Sequence, residues 1–394
     1  MTALRSAVDL TGKEVGDRLE ARLNREGFHH LYIHIPFCRH KCGYCDFNAY
    51  AGLDGLIEPY VAALEQELIW AASRFEFGVL GSIYFGGGTP SLIPGESIQR
   101  LLRRIRSLFR VAPDAEITLE ANPASTDGDK LQTWLAAGVN RLSLGVQGFD
   151  PKTLAVLERR TDGAQAEAAI RMARSVGMEN LSLDLIYAVP FQTVNAWQQT
   201  LDRALALEPE HLSCYCLTLE EGTPLRRRQL HGQLPSVDPD DQWRFIERCR
   251  SSLIGAGYRR YEVSSWAKPG RESRHNRSYW SCRPVYGAGC GAHSYLPLVA
   301  GALRWWNWSR PADYIRWSRS DEFFAAGEEL SAAAAAAERT MLGLRCTDGV
   351  AVAEAPPDVV DHLSAAGLVT ASDGRVTPTE RGLDLHNQIA LALL

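Results

Sequence analysis

The sequence has no apolar run long enough to cross a bilayer, and its first twenty residues carry scattered charges without a signal-type apolar stretch. We therefore expect a cytoplasmic protein without a membrane segment. In that reducing compartment its nine cysteines should be thiols or metal ligands and not disulfides. Lysine is scarce and the net charge is -5, so the composition gives no indication of a nucleic-acid partner.

Short β-rich runs alternate with amphipathic helical stretches from residue 31 to about residue 218. The predicted strands are 31–37, 82–88, 116–122, 141–147, 181–189 and 211–219. Alternating strands and helices with short turns predict an α/β fold with a parallel sheet covered by helices. Six such units predict a TIM-like barrel, or an incomplete (β/α)6 barrel that is open on one side.

Four regions are expected along the chain: an N-terminal extension (1–24), the barrel (25–262), a connecting region (263–330) and a small C-terminal domain (331–394). After an alanine tract at 332–337, the last region predicts two helices and a hairpin with an Asp-Gly turn, similar to a winged helix. The second of these helices carries no Lys or Arg, which favours a packing or lid role over DNA binding.

Three of the nine cysteines lie within eight residues, with the spacing C-x3-C-x2-C directly after the first predicted strand: Cys38, Cys42 and Cys45. Thiolates suit iron–sulfur clusters or zinc. A structural zinc site needs four ligands. His40 could supply the fourth, but no second cysteine pair follows at the expected interval. Zinc and incidental buried thiols are therefore the weaker alternatives to a cluster with one open iron.

Polar or glycine-rich residues also follow several other predicted strands: Gly86 to Thr89, Glu120, Asn122, Gln147 and Asp184. In parallel α/β sheets and barrels, ligands bind outside the carboxyl ends of the strands. We therefore expect these residues and the cysteine loop to meet in one site.

In these residues the sequence resembles the radical S-adenosylmethionine (SAM) superfamily. The cysteine motif is followed by GGGTPS (86–91), LEANP (119–123), LGVQGFD (144–150), LERR (157–160) and LDLIYAVP (183–190). Together they are similar to the porphyrin-linked branch, which contains the oxygen-independent coproporphyrinogen III oxidases and the HemW-type heme chaperones. The resemblance implies a [4Fe-4S] cluster on Cys38, Cys42 and Cys45, with SAM bound at the open iron.

The resemblance also implies a set of SAM contacts: Tyr32, Tyr44, Gly87, Gly88, Thr89, Glu120, Gln147, Arg159 and Asp184. Three positions depart from the family pattern. The family has Gly where this chain has Ala188 and Phe191, and commonly His where it has Thr161. We expect these changes to affect the adenosine side of the pocket and to leave the cluster loop untouched.

Two features separate the two kinds of protein within this branch. Cys45 is followed by Asp46-Phe47-Asn48, whereas the oxidases have C-x-C there and a longer N-terminal extension. The segment HNRSYW (275–280) is associated with heme binding in the HemW-like proteins. It implies His275 as an axial ligand, with His34 and His293 as weaker candidates.

The aromatic residues of the same segment predict a flat apolar surface for the porphyrin, formed by Tyr279 and Trp280 and extended by Trp266, Trp305, Trp306 and Trp308. A hydrogen-bonded structural histidine and a tryptophan core are the alternatives, because both are common in folded proteins.

The favoured hypothesis is a heme chaperone that transfers heme to an acceptor protein, which the sequence does not name. An acceptor associated with a membrane and a homodimer are compatible with the family. The alternative is a radical SAM enzyme that acts on a tetrapyrrole, either as an oxygen-independent coproporphyrinogen III oxidase or as an anaerobic heme-modifying enzyme.

Overall fold

The computed structural model describes residues 7–22 and 27–393. Its strands are β1 (Ala7–Thr11), β2 (Phe28–Ile35), β3 (Phe37–Cys38), β4 (Tyr50–Ala51), β5 (Phe77–Gly87), β6 (Val111–Ala121), β7 (Arg141–Gln147), β8 (Leu181–Tyr187), β9 (His211–Cys216), β10 (Arg259–Arg260), β11 (Ser265–Ala267), β12 (Val285–Ala288), β13 (His293–Leu298), β14 (Gly301–Asn307), β15 (Phe324–Leu330), β16 (Val350–Ala351), β17 (Val369–Ser372) and β18 (Arg375–Pro378).

The α-helices are α1 (Gly12–Arg22), α2 (Ile57–Arg74), α3 (Gly95–Leu108), α4 (Gly128–Ala137), α5 (Pro151–Val156), α6 (Gly163–Ser175), α7 (Val194–Leu205), α8 (Pro224–Leu230), α9 (Pro239–Gly255), α10 (Arg274–Trp280), α11 (Pro311–Trp317), α12 (Ala332–Gly343), α13 (Pro357–Ala365), α14 (Glu380–Asp384) and α15 (His386–Leu393). No helix in residues 7–22 and 27–393 combines the length and apolar character needed to span a membrane.

Six strands, β2, β5, β6, β7, β8 and β9, lie side by side in chain order and pair in parallel. Antiparallel β11 and β10 continue the sheet beyond β9, whereas β12, β13, β14, β15 and β1 continue it beyond β2. Because β1 and β10 end the strand order without pairing to each other, the barrel is incomplete. The predicted α/β barrel is confirmed, and the strand 141–147 has the predicted bounds.

The barrel strands have an apolar outer face and a polar inner face. On β6, Ile117 and Leu119 belong to the hydrophobic core, whereas the alternate residue Glu120 lines the barrel cavity. On β7, Leu142 and Leu144 are core residues, and Arg141, Ser143, Gly145 and Gln147 line the cavity. Because side chains alternate along a strand, this pattern leaves a polar interior in which a ligand can be bound.

The remaining regions attach to this sheet or pack beside it. Strand β1 pairs with β15, and Val15 and Leu19 of α1 join the main core. From α12 onward, four helices and the three-stranded sheet β16-β18-β17 form a unit with its own apolar cluster. The predicted Asp-Gly hairpin is β17–β18, where Asp373 and Gly374 both have positive φ.

Candidate functional site

One cavity opens at the carboxyl ends of the barrel strands and extends down between them; its volume is about 720 Å³. Most residues predicted for the cluster and for SAM line this cavity: Cys38, Cys42, Cys45, Tyr44, Gly87, Gly88, Thr89, Glu120, Gln147, Arg159 and Asp184. Two predicted residues, Tyr32 and His275, lie beside the cavity in the barrel interior and do not line it.

The three cysteines lie on one loop that begins at the end of β3. The backbone N–H of Cys45 donates to the carbonyl of Cys42 at 3.1 Å, which closes a tight turn. The thiol of Cys38 lies 3.3 Å from Thr89 Oγ1, and Arg159 Nη1 lies 3.9 Å from Cys42 Sγ. The loop is therefore in contact with the glycine-rich turn and with Arg159 of the LERR segment.

Asn48 anchors the far end of the cysteine loop. Its Nδ2 donates to the carbonyls of Cys290 at 3.0 Å and Ser309 at 2.9 Å. Its own carbonyl accepts a 2.8 Å hydrogen bond from His34 Nε2. A Cβ atom on Gly291 would lie 2.3 Å from Asn48 Nδ2, so the close approach requires glycine. The YGAGCGAHSY segment (286–295) thus supports the cysteine loop.

The chemistry of the thiols fits a metal cluster. Burial raises the pKa of the Cys38 thiol, and it raises the pKa of Cys45 to about 11, so a metal would have to displace both protons. A single zinc ion needs ligand atoms within about 2.3 Å of one point. A cluster does not require this convergence, because each thiolate binds a different iron.

The glycine-rich turn is tied to its neighbours through its backbone N–H groups. Gly87 has φ +112°, and its N–H donates to Glu120 Oε2 at 3.1 Å. The N–H groups of Gly88 and Thr89 donate to carbonyls of the segment that leads into the cysteine loop. A Cβ atom on Gly87 would lie 2.4 Å from the ring of His34, so the turn can pass here only as glycine.

The carboxyl groups of Glu120 and Asp184 face the cavity, and burial raises the pKa of both. Burial raises the pKa of Glu120 to about 7, although the Tyr84 hydroxyl donates to its Oε1 at 2.8 Å. Burial also raises the pKa of Asp184, which accepts a hydrogen bond from Ser143 at 3.2 Å. Both groups can accept hydrogen bonds from ligand hydroxyl or ammonium groups once they are ionised.

The backbone of β7 is irregular at the level of the cysteine loop. The pairing of β7 with β8 shifts between Gly145 and Gln147, and Gln147 has φ +68°. A shift of this kind turns the side chain after it in a new direction. Arg159 Nη2 donates to the Gly145 carbonyl, and its Nε finds no hydrogen-bond partner in the described residues although it is buried.

The three departures from the family pattern lie in different environments. Thr161 lines the cavity and donates to Asn122 Oδ1 at 2.8 Å. Ala188 and Phe191 do not line the cavity, but both have positive φ, +57° and +67° respectively. Glycine adopts this conformation without strain, whereas a residue with a Cβ atom is strained there.

The HNRSYW segment forms helix α10, which closes the barrel below the cavity. Ser273 caps the helix, and the Glu116 carboxylate accepts the N–H groups of Arg274 at 3.0 Å and His275 at 3.1 Å. His275 has no exposed surface; Nδ1 lies 2.8 Å from Ser82 Oγ and Nε2 lies 2.9 Å from the Tyr279 hydroxyl. Its pKa is far below the ordinary value because of burial, so the ring is neutral.

The tryptophans predicted to extend a porphyrin surface are not brought together. Trp305 is fully buried in the main core beside Phe28. Trp308 stacks on Trp317 with their ring centroids 5.3 Å apart. The guanidinium carbon of Arg345 lies 4.4 Å from the ring centroid of Trp280. Their indole rings are therefore used in packing at separate places.

Several residues at or near the site were missed by sequence reasoning. Arg141 and Cys216 also line the cavity, and no local motif marks either of them. Glu67 on α2 is fully buried and accepts hydrogen bonds from the chain around the YGAGCGAHSY segment, including Gly289 N at 2.8 Å and Asn307 Nδ2 at 2.7 Å. An acidic residue on the apolar side of α2 was the available signal for Glu67.

Comparison with known proteins gives consistent relatives. Residues 32–204 match the radical SAM superfamily. The heme chaperone HemW of Mycobacterium tuberculosis is 38% identical over 371 residues, which cover 92% of this chain and 94% of that protein. The heme chaperone HemW of Bacillus subtilis is 34% identical, with 92% of this chain and 98% of that protein covered.

Among solved structures, coproporphyrinogen III oxidase (HemN) from Escherichia coli, described as a radical SAM enzyme, superimposes with a TM-score of 0.83. The alignment covers 100% of this chain and 96% of that chain at 23% sequence identity, and it shows a shared fold. Together with the 38% identity to HemW along most of both chains, these findings show that the chain belongs to the HemW family of the radical SAM superfamily.

Proposed function

We propose that this protein binds heme and transfers it unchanged to an acceptor protein, with a [4Fe-4S] cluster and SAM in the barrel cavity. The observation that carries the proposal is the cavity itself: its cysteine loop has three thiols, and after Cys45 the next cysteine of the chain is Cys214. This arrangement occurs in a chain that is 38% identical to curated heme chaperones.

Cys38, Cys42 and Cys45 would each hold one iron of the cluster and leave a fourth iron for the amino and carboxylate groups of SAM. When bound, the cluster supplies an electron and an open coordination position. Arg159 supports this placement, because its guanidinium lies beside Cys42 and can pair with a carboxylate there.

Other cavity residues would orient SAM. The N–H groups of Gly87, Gly88 and Thr89 already donate within the protein, so this turn would recognise an ammonium through its carbonyl oxygens. Glu120 and Asp184 would accept from ribose hydroxyls, with Tyr44 and Gln147 nearby. Tyr32 donates to His34 Nδ1 at 2.9 Å, so a contact of Tyr32 with SAM requires this hydroxyl to turn.

The heme contacts are proposed on two observations. At the cavity mouth, Phe47 and Tyr215 expose 62% and 41% of their surface, and such aromatic faces suit a flat macrocycle. His275 can serve as the axial ligand only if it gives up its hydrogen bonds to Ser82 and Tyr279. Ligation by His275 would therefore be coupled to a displacement of α10. Cytoplasmic location, an acceptor at a membrane and a homodimer are further proposals from the family resemblance.

The cluster is tested by anaerobic purification and reconstitution, followed by iron, sulfide and absorbance measurements. We expect a brown chromophore that is lost in Cys38→Ala, Cys42→Ala and Cys45→Ala. The matched control is Cys346→Ala, which removes a buried thiol outside the cavity and should keep the chromophore. Zinc in place of iron would contradict the proposal.

Function is tested on the reconstituted protein with heme, SAM and a reductant. Binding of heme without chemical change, followed by transfer to an apo-hemoprotein, is the expected result. Formation of 5′-deoxyadenosine in step with a modified tetrapyrrole, from heme or coproporphyrinogen III, would instead identify a radical enzyme.

A further inference from the structure

Arg141 places a buried positive charge at the inner end of the cavity. It begins β7, it is 1% exposed, and it lines the same cavity as the cysteine loop. Its Nε and Nη1 atoms are buried and find no hydrogen-bond partner in the described residues. Nearly all buried polar groups in proteins are hydrogen-bonded, so an unpartnered guanidinium in a cavity indicates a missing ligand.

The three carboxylates around Arg141 are committed to other donors. Glu116 accepts the first two backbone N–H groups of α10, through one oxygen each. Glu120 accepts from Tyr84 and from the N–H of Gly87. Asp184 accepts from Ser143. These carboxylates balance the charge of Arg141 through space but leave its donors free for hydrogen bonding.

The position of Arg141 separates it from the place proposed for the carboxylate of SAM. Arg159 contacts the carbonyl of Gly145 and the thiol of Cys42, at the level of the cysteine loop. Arg141 lies four residues earlier on the same strand as Gly145, about 13 Å deeper along the strand direction. A SAM molecule held at the cluster by its carboxylate cannot present the same group to Arg141.

We propose that Arg141 is a carboxylate-binding site at the floor of the barrel, and that it receives a propionate side chain of the tetrapyrrole. A guanidinium can donate to both oxygens of a carboxylate through its planar array of N–H groups, and two nitrogens of Arg141, Nε and Nη1, have no partner among the described residues. The tetrapyrrole as the source of the carboxylate rests on the proposed heme binding. The site would orient the macrocycle with its carboxylate edge inward and its apolar part toward the aromatic residues at the mouth.

The test compares two ligand pairs on the reconstituted wild-type protein and on Arg141→Gln. The pairs are heme against heme dimethyl ester, and SAM against decarboxylated SAM. We expect the wild type to prefer heme over its diester by at least tenfold in Kd and Arg141→Gln to lose this preference. Discrimination between the two forms of SAM should be the same in both proteins. Arg248→Gln, at an exposed position outside the cavity, is the matched control.

The outcomes are separable. If Arg141→Gln loses the discrimination between SAM and its decarboxylated form, the site binds a carboxylate but receives it from SAM. If Arg141→Gln discriminates within both pairs as the wild type does, the inference is overturned. If the wild type binds neither heme nor its diester, the proposed function fails and the SAM pair alone decides about Arg141. Should Arg141→Gln fail to fold, Arg141→Lys keeps the charge but removes the two-fold geometry, and we expect it to retain less than a tenth of the preference.

Discussion

Ser82 on β5 and His275 on α10 share a 2.8 Å hydrogen bond inside the barrel, and the same serine lies 2.8 Å from His30 Nδ1. The contact joins the HNRSYW helix to strand β5 of the barrel. His275 therefore has a structural role in holding helix α10 below the cavity, independent of any role as a heme ligand.

His275→Ala should lower the free energy of unfolding by about 1–3 kcal/mol, because the Tyr279 hydroxyl loses its imidazole partner and Ser82 Oγ keeps only His30. Cluster absorbance should be retained, since the cysteine loop is not touched. Denaturant unfolding measures the change. His293→Ala, at an exposed imidazole, should change stability by less than about 0.5 kcal/mol and serves as the control.

Tyr279→Phe tests whether His275 ligates heme. The variant removes the hydroxyl that occupies Nε2 and keeps the ring in place. If a hydrogen bond of about 1 kcal/mol holds the imidazole back, its removal should tighten heme binding roughly fivefold in a Soret titration. Unchanged heme spectra in both Tyr279→Phe and His275→Ala would exclude His275 as the ligand.

Gly291→Ala should weaken retention of the cluster. The new Cβ would lie 2.3 Å from Asn48 Nδ2 and push against the anchor of the cysteine loop. Gly270→Ala is a close control, because Gly270 also has positive φ, +77°, but no atom within 4 Å of the added Cβ. We expect both variants to lose about 1 kcal/mol of stability from backbone strain, and only Gly291→Ala to lose iron. Equal iron contents would show that this contact is unimportant for the loop.

Glu120 should make stability depend on pH in the cofactor-free protein. Its folded pKa of about 7 lies above the unfolded value, so its contribution is complete below about pH 4.5 and is lost as the pH rises through 7. Glu120→Gln, which resembles the protonated acid, should therefore flatten the fall in Tm across this window. The idea fails if wild type and variant give parallel curves.

Binding of SAM should release a proton near pH 7 if Glu120 contacts the cationic ligand. A positive charge favours the ionised carboxylate and lowers its pKa. Calorimetry in two buffers with different ionisation enthalpies measures the proton, and Glu120→Gln should abolish it.

Phe191→Gly should raise the free energy of unfolding by about 0.5–1 kcal/mol. The side chain is 69% exposed and its φ is +67°, so relief of backbone strain exceeds the small loss of packing. Leu230→Gly is the control: Leu230 is 68% exposed at the last position of helix α8 and its φ is not positive, so glycine relieves no backbone strain there and should not raise stability. A loss of stability in both variants would contradict the strain argument.

The barrel and most of its cavity were predictable because the relevant information is local. Strand periodicity and the position of polar residues at strand ends predicted that Glu120, Gln147 and Asp184 lie at one end of the sheet, and all three line one cavity. A contact that forms between distant segments leaves no such trace. Asn48 with Cys290, and His275 with Ser82, join residues roughly 200 positions apart, and their partners could be found only in the folded chain.

The positions of the tryptophans and the burial of Arg141 could not be predicted for the same reason, because both depend on contacts between distant segments. Proximity of Trp305, Trp306 and Trp308 in sequence predicted one surface, but alternation along β14 and the chain reversal after it send their rings to different places. Arg141 is the first residue of β7, a position where an arginine normally marks a solvent-exposed strand end. Its burial follows from α10 covering that end of the barrel.

The large sequence separation between β1 and its partner strand β15 affects how the sheet is assembled during protein synthesis. Ala7–Thr11 pairs with Phe324–Leu330, which the ribosome produces roughly 300 residues later. At common elongation rates this delay is on the order of 15–60 s. For that time the first strand has no pairing edge within reach. The edge of the sheet formed by β1 and β15 is therefore assembled late in synthesis. Chaperone protection of the nascent segment that contains β1 should matter most during that interval.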